Sequence, residues 1–494
     1  MNRQLNRLAI VAVVLLAALV VATTYWQTWA VAGLADRQDN AIHVVAQFEI
    51  KRGTITAPGG KPRYATNKVR HEKGQTLYFR RYPTEGLLSQ TVGYSTPGHA
   101  QAGLERSMNA DLTGATANLG TIIDKLRGGT VTGDNLVLTI DPQAQATALQ
   151  GLAGRCGAVA ALDPRTGAAL VLASSPTYDP NKIDDPGYLK RLGRPDPNCN
   201  GVPPSPLLNR ATAGLFTPGS TFKVVTASAA LDTGRFTPES RFYDPGYCIE
   251  YGQHVSNAGN PDQQGAEQFG NVDLVQGLQH SINSVFCNIG KALGAGPILD
   301  YARRFGFYDL PPLETPPNER AASGLYDHGK LFRDASKVDP GRLAFGQERL
   351  QVTPLQMAMV AAGIAHGGVV MKPHVVAKVL DKNGKTVSTT KPSVYSRAVR
   401  PQTAAEITSM MVAAVNGGTG TQAQIPGVQV AGKTGTAETG IAHTNTVWFI
   451  AFAPAEAPRV AIAVVVERQH GFGGSISAPI AKQVMEVLLR RGRS

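Results

Sequence analysis

From Leu8 the chain runs for about twenty residues, "LAIVAVVLLAALVVATTYWQTWAVAG", without a charge. Wound as a helix, a run of that length crosses the ~30 Å hydrocarbon core of a bilayer. Arg3 and Arg7 precede it, and the mixture Asp36, Arg37, Asp39 comes after it, which favours an inside N-terminus. Tyr25, Trp26 and Trp29 then fall at the outer interface as an aromatic belt. A cleaved signal peptide is the competing reading, because Ala30-Val31-Ala32 fits a small-x-small site. That site, however, lies roughly ten residues past the apolar run, with bulky tryptophans between. The expectation is an uncleaved, single-pass plasma-membrane anchor. On either reading the rest of the chain works outside the cytoplasm.

Beyond the anchor the chain is globular in composition: of 494 residues, 43% are hydrophobic and 17% charged, enough for two or three domains. The formal charge of +12 raises nucleic acid as a partner. Lys and Arg read as scattered, with no basic block interleaved with aromatics, so an anionic cell surface or membrane face is the expectation and nucleic acid is not. Four cysteines, Cys156, Cys199, Cys248 and Cys287, allow up to two disulfides in three pairings, or buried free thiols. No CxxC or His-rich spacing points to a metal.

Three regions are expected: residues 1–35 as tip and anchor, 36–140 as a small extended α/β region, and 141–494 as the main domain. The middle region is polar and turn-rich, with strand-like pieces at 43–50 and 135–140. At Asp141-Pro142 a capped helix (141–153) opens the main domain. Two apolar runs around Asp163-Pro-Arg-Thr-Gly167 read as a hairpin, and 182–206 as a loop. Helical spacing marks 221–232, 272–294, 353–366 and 401–416. A hairpin turns on Asn383-Gly384. Three strands and a helix close the chain, so the early hairpin and the late strands make a five-stranded antiparallel sheet from both ends of the domain, an α+β arrangement.

Three short motifs carry the candidate chemistry. In "FTPGSTFKVV", Ser220 stands at a helix start with Lys223 three residues on, on the same face. A capping serine and a solvated lysine would look the same, and Ser388-Thr-Thr-Lys391 repeats the spacing on a hairpin. Next, "LQHSINSVFCNIG" holds Ser281 and Asn283; an earlier Ser-x-Asn stands at Ser107-Met-Asn109. Finally, Lys433-Thr434-Gly435-Thr436 lies inside an expected strand, where a glycine implies close approach to the backbone. Each is ordinary alone. In order, on helix, loop and strand, they form the signature set of penicillin-binding proteins and serine β-lactamases.

The resemblance is wider than the triple. "GAVAALDPRTGAALVLASSPTYDPN", "NRATAGLFTPGSTFK", "FGQERLQVTPLQMAMVAAGIAHGG" and "AGKTGTAE…WFIAFAP" resemble the transpeptidase domain of class B penicillin-binding proteins. "KRGTI", "LLSQTVGY" and "GLERSMNADLTG" resemble their non-catalytic, dimerisation-like pedestal, in the compact form of the PbpA type of actinobacteria; "TITAPGGKP" departs from the usual acidic-Arg-x-Gly turn.

The resemblance implies a peptidoglycan D,D-transpeptidase of the β-lactamase/penicillin-binding-protein fold, active in wall synthesis, division or cell shape. Ser220 would be the nucleophile, Lys223 its base if neutral, and Ser281 a proton relay. Asn283 would hold the substrate amide; Lys433, Thr434 and Thr436 the terminal carboxylate. Gly435 would clear room for a substrate strand, and the backbone N–H groups of Ser220 and Thr436 would form the oxyanion hole. No metal or organic cofactor is implied. The implied partners are stem peptides and their lipid-linked precursor, β-lactams, and a RodA/FtsW-type glycosyltransferase. No deacylating glutamate motif separates Ser281 from Lys433, so a long-lived penicilloyl adduct is expected. The alternatives are a D,D-carboxypeptidase using the same residues, a β-lactam sensor, or a silent scaffold. The sensor is disfavoured by only seven residues before the span.

Overall fold

A computed structural model of the chain describes residues 2–26, 48–72, 74–96, 101–114, 132–257, 267–441 and 443–490. The uncharged run is one helix, α1 (Asn2–Tyr25), long and apolar enough to cross a membrane, with none of its apolar window buried. Three strands come next: β1 (Ile55–Thr56), β2 (Arg63–Glu72) and β3 (Gln75–Arg81). After β4 (Asn135–Leu138), the Asp141 carboxylate accepts from the amides of Gln143 and Ala144 and caps α2 (Pro142–Leu152). The hairpin β5 (Gly157–Leu162) and β6 (Ala169–Ser175) comes next, then α3 (Lys223–Asp232), α4 (Asn283–Leu293) and α5 (Pro354–Ala365). A second hairpin, β7 (Val376–Leu380) and β8 (Thr386–Thr389), precedes α6 (Pro401–Gly417). The chain closes with β9 (Ala431–Glu438), β10 (Asn445–Ala453), β11 (Val460–Gln469) and α7 (Gly473–Arg490).

The main sheet is antiparallel in the order β9-β10-β11-β5-β6, as expected from the two ends of the domain. Helices cover both faces, so its inner strands β5, β10 and β11 are largely apolar rather than alternating, while the edge strand β9 carries Lys433 and its threonines. Residues at period two still divide between the layers. Val159, Ala161, Phe449, Ile462 and Val464 pack toward α2 and α7. Ala160, Trp448, Ile450 and Ala463 pack toward Phe222 and the residues of α5. Helix α5 is buried from Pro354 to Ile364, with no polar face, as befits the centre of a large domain.

A second sheet has the order β8-β7-β4-β1-β2-β3. Its strands β7 and β8 come from inside the span read as the main domain, with Val379 opposite Leu136. The Asn383-Gly384 turn forms as the residues suggest, Gly384 taking φ +83°. Ser388 lies on β8, exposed along its whole length. Beside this sheet Glu105 is fully buried and clamped by two guanidinium groups, Arg52 at 3.0 Å and Arg80 at 2.7 Å.

Several expectations need correction. Residues 43–47 of the anticipated first strand lie outside the described residues, and 48–50 are not strand. The loop at 182–206 contains a helix, Pro186–Leu192, capped by Asp185. The span 272–294 is two helices, Leu274–Gln279 and α4, because Ser281 between them adopts φ +61°. The cysteines form two bridges, Cys156–Cys199 and Cys248–Cys287, leaving no free thiol among the described residues.

Candidate active site

Pro218 and Gly219 turn the chain sharply into a 3-10 segment, Gly219–Phe222, that runs straight into α3. Ser220 lies in that tight turn and Lys223 is the first residue of the α-helix. Gly219 takes φ +52°, and a Cβ on it would stand 2.5 Å from the Thr436 carbonyl oxygen. The turn is pressed against β9 from a second side as well. A Cβ on Gly435 would meet Thr221 Cγ2 at 2.8 Å and the Pro218 carbonyl at 2.9 Å. Gly435 was expected to make room for substrate; in the chain alone its close neighbour is the Pro218–Thr221 turn. Trp448 on β10 fastens the same turn, its indole N–H donating to the Thr217 carbonyl at 2.9 Å.

Lys223 and Lys433 are both fully buried and converge on Ser281. Lys223 Nζ donates to the Ser281 carbonyl at 2.6 Å and to Asn283 Oδ1 at 2.7 Å, with Ser281 Oγ at 3.4 Å. Lys433 Nζ donates to Ser281 Oγ at 2.7 Å and to the Thr434 carbonyl at 3.0 Å. The left-handed backbone of Ser281 turns both its carbonyl and its hydroxyl toward these amines, a local strain of about 1–3 kcal/mol held by the surrounding bonds.

Burial, and then the neighbouring Lys433 ammonium, hold the Lys223 amine well below the ordinary lysine range. Burial brings Lys433 down from 10.5 to about 7. The Phe286 ring, 5.3 Å from Lys223 Nζ, opposes this by favouring the ammonium. A cation–π contact is worth about 2 kcal/mol. The net direction for Lys223 is still downward, so burial outweighs the ring.

The remaining expected residues are all here, with adjustments. Asn283, expected at the substrate amide, has Oδ1 accepting from Lys223 and Nδ2 donating to the Ser256 carbonyl at 2.9 Å. Lys433, expected at the substrate carboxylate, is buried with its amine on the Ser281 hydroxyl. Thr434 pairs with Thr419, hydroxyl to hydroxyl at 2.6 Å, and the half-buried Thr436 hydroxyl accepts from the Gly473 amide at 3.5 Å. No side chain hydrogen-bonds Ser220 Oγ among the described residues. Thr419, Ser256 and Phe286 escaped the sequence reading. The glycines flanking Thr419 (417, 418 and 420) were the available signal, and a Cβ on Gly418 would stand 2.2 Å from the Gln279 carbonyl. Among the described residues, one trio of metal-donor side chains occurs, Cys248, Glu250 and Cys287, and its sulfurs are joined to each other.

A serine at the head of a core helix, two buried lysines sharing a second serine, and a five-stranded antiparallel sheet together define a penicillin-recognising serine acyl-enzyme. The model for the penicillin binding protein transpeptidase domain matches residues 157–486, and that for the penicillin binding protein A dimerisation domain matches 52–136. The peptidoglycan D,D-transpeptidase PbpA of Mycolicibacterium smegmatis is 34% identical, with 100% of both chains aligned. The Mycobacterium tuberculosis protein of the same name is also 34% identical, over 99% of each. A ceftriaxone acyl-enzyme structure of M. tuberculosis penicillin-binding protein A superposes with TM-score 0.79 at 33% identity, covering 90% of this chain and 100% of that one. A D,D-transpeptidase domain from Eggerthella lenta gives 0.75 at 31%, covering 90% and 99%. The chain belongs to the penicillin-binding protein transpeptidase family.

Proposed function

We propose that this chain is a membrane-anchored peptidoglycan D,D-transpeptidase that cross-links stem peptides through an acyl-enzyme on Ser220. The observation that carries the reading is the dry amine of Lys223. A neutral amine has two N–H groups and one lone pair. The Ser281 carbonyl and Asn283 Oδ1 take both hydrogens, which leaves the lone pair free to accept a proton. Serine is a poor nucleophile without such a base.

In the first step Ser220 Oγ attacks the carbonyl carbon between the two terminal D-alanines, and its proton passes to Lys223 Nζ. The oxyanion is held by the backbone N–H groups of Ser220 and Thr436, each such donor being worth about 2.7–4 kcal/mol. Ser281, between the two lysines, gives its hydroxyl proton to the departing nitrogen and takes the proton held by Lys223 in its place. Lys223 is thus neutral again as the C–N bond breaks and D-Ala leaves. An amine from a second stem then attacks the ester carbon, gives up its proton along the same route, and releases Ser220. Thr434 and Thr436 hydroxyls receive the terminal carboxylate, with Lys433 behind them. Residues 36–140, completed by the β7–β8 hairpin, form the pedestal, and the rest of 141–494 the catalytic domain. The catalytic domain lies outside the cytoplasmic membrane, and a RodA/FtsW-type glycosyltransferase supplies nascent glycan strands.

Labelling with a fluorescent penicillin and then tryptic mass mapping tests this directly. One adduct is expected, on Ser220, absent in Ser220→Ala and retained in Ser388→Ala. No adduct, or one on another residue, would sink the assignment.

A further inference from the structure

The chain's positive charge is not evenly spread. Residues 51–81 hold nine Lys and Arg and one acid, Glu72, and so carry eight of the twelve excess charges. Arg52 and Arg80 are consumed by Glu105. Lys51, Lys61, Arg63, Lys68, Arg70 and Arg81 are exposed, and none of them forms an ion pair among the described residues. Most of these cations stand on or beside the β2–β3 hairpin, at the far edge of the second sheet from β8.

That hairpin is poorly supported. Strand β1 reaches only Arg63 and Ala65, so from Thr66 to Glu72 β2 pairs with β3 alone. An isolated two-stranded ribbon is marginal in water. Here every residue from Lys68 to Gln75 whose side-chain exposure is described is exposed, Val69 by 47%. The pairing Lys68↔Phe79, Arg70↔Leu77 and Thr66↔Arg81 places cations and apolar side chains on one face. The Arg70 guanidinium lies 4.9 Å over the Phe79 ring. Phe48 stacks on the same ring at 5.1 Å, so what this face offers is chiefly its unpaired cations, which suit an anionic bilayer interface.

We infer that the β2–β3 ribbon docks on anionic phospholipid headgroups of the membrane that holds α1. The inference rests on the anchor reading, and charge complementarity selects the occupant: a zwitterionic surface offers nothing to six unpaired cations. Each cation brought near an anionic surface strengthens partition about fivefold. Docked in this way, the pedestal is held at a second point besides the anchor, which fixes its tilt relative to the bilayer.

The test uses the full-length chain reconstituted in vesicles of phosphatidylcholine alone, or of phosphatidylcholine with phosphatidylglycerol. Flotation with both compositions checks the anchor by itself. Amide hydrogen exchange across residues 66–81 should be slower by about tenfold in the anionic vesicles only, and the protection should vanish at high salt. It should also vanish in K68E/R70E/R81E, with penicillin labelling at Ser220 unchanged; K68Q/R70Q/R81Q serves if the reversal impairs folding. Equal exchange in the two compositions, or protection that survives loss of the charges, overturns the proposal. So does protection produced in phosphatidylcholine vesicles by an added anionic wall polymer, which would assign the ribbon to the wall.

Discussion

Replacing Lys433 by methionine removes a buried amine while keeping a side chain of similar length. In the folded protein that amine sits at about 7 against an ordinary 10.5, so the fold disfavours its ammonium by about 5 kcal/mol. The unfolded chain keeps the proton up to 10.5, the folded chain only up to about 7. Between these values the unfolded state holds more protons, and stability rises with pH by up to about 1.4 kcal/mol per pH unit. Below 7 both states are protonated, the slope disappears and the full penalty stands. Lys433→Met lacks this contribution to slope and penalty and keeps that of Lys223. Urea unfolding can be tracked through Trp448, buried in β10 and the only tryptophan beyond residue 29. Between about pH 6.5 and pH 9.5 the wild type should gain about 3 kcal/mol relative to the variant. Parallel curves would refute the reasoning, because Lys433 would then keep its proton in the fold as readily as in the unfolded chain.

The geometry sets two further outcomes. Gly219→Ala must carry a side chain at φ +52° and 2.5 Å from a carbonyl oxygen, so the Ser220 turn should lift off β9. The rate of penicillin labelling should fall by about a hundredfold, while a variant that labels at the wild-type rate would show the contact to be dispensable. Removing the Cys156–Cys199 bridge, whose ends are 43 residues apart, with two serines should cost about 4 kcal/mol of stability by loop entropy, read as a lower urea midpoint with labelling at Ser220 retained.

Much of the catalytic domain was legible in the residues because its signals are local. The strands of the main sheet announce themselves as apolar runs bounded by turns, and Asp141-Pro142 or Asn383-Gly384 specify a cap and a hairpin by their own chemistry. Ser281 shows where this stops. The spacing of Leu274, Leu278, Val285 and Ile289 reads as one continuous helix, and only two lysines arriving from distant segments explain the left-handed serine that breaks it. The bonds that Asn283 and Lys433 make to Lys223 and Ser281 were hidden for the same reason: these partners are near only in space. The Cys pairing needed the fold. The clustering of charge in 51–81 is different, since it stands in the sequence and is hidden only when charge is judged over the whole chain.

The second sheet has a consequence for how the molecule is made. Strand β4 is completed by β7, and Asn135 Nδ2 donates to the Asp381 carbonyl 246 residues later. A chain delivered from its N-terminus across a membrane exposes β4 long before its partner arrives. Until residue 389 has emerged, the pedestal carries an open strand edge, a template for pairing with the wrong chain. On the proposed topology, export would have an order built into it: the catalytic domain would be largely across before the pedestal could close, and a transpeptidase domain produced without the pedestal would inherit β7 as a bare edge of its own.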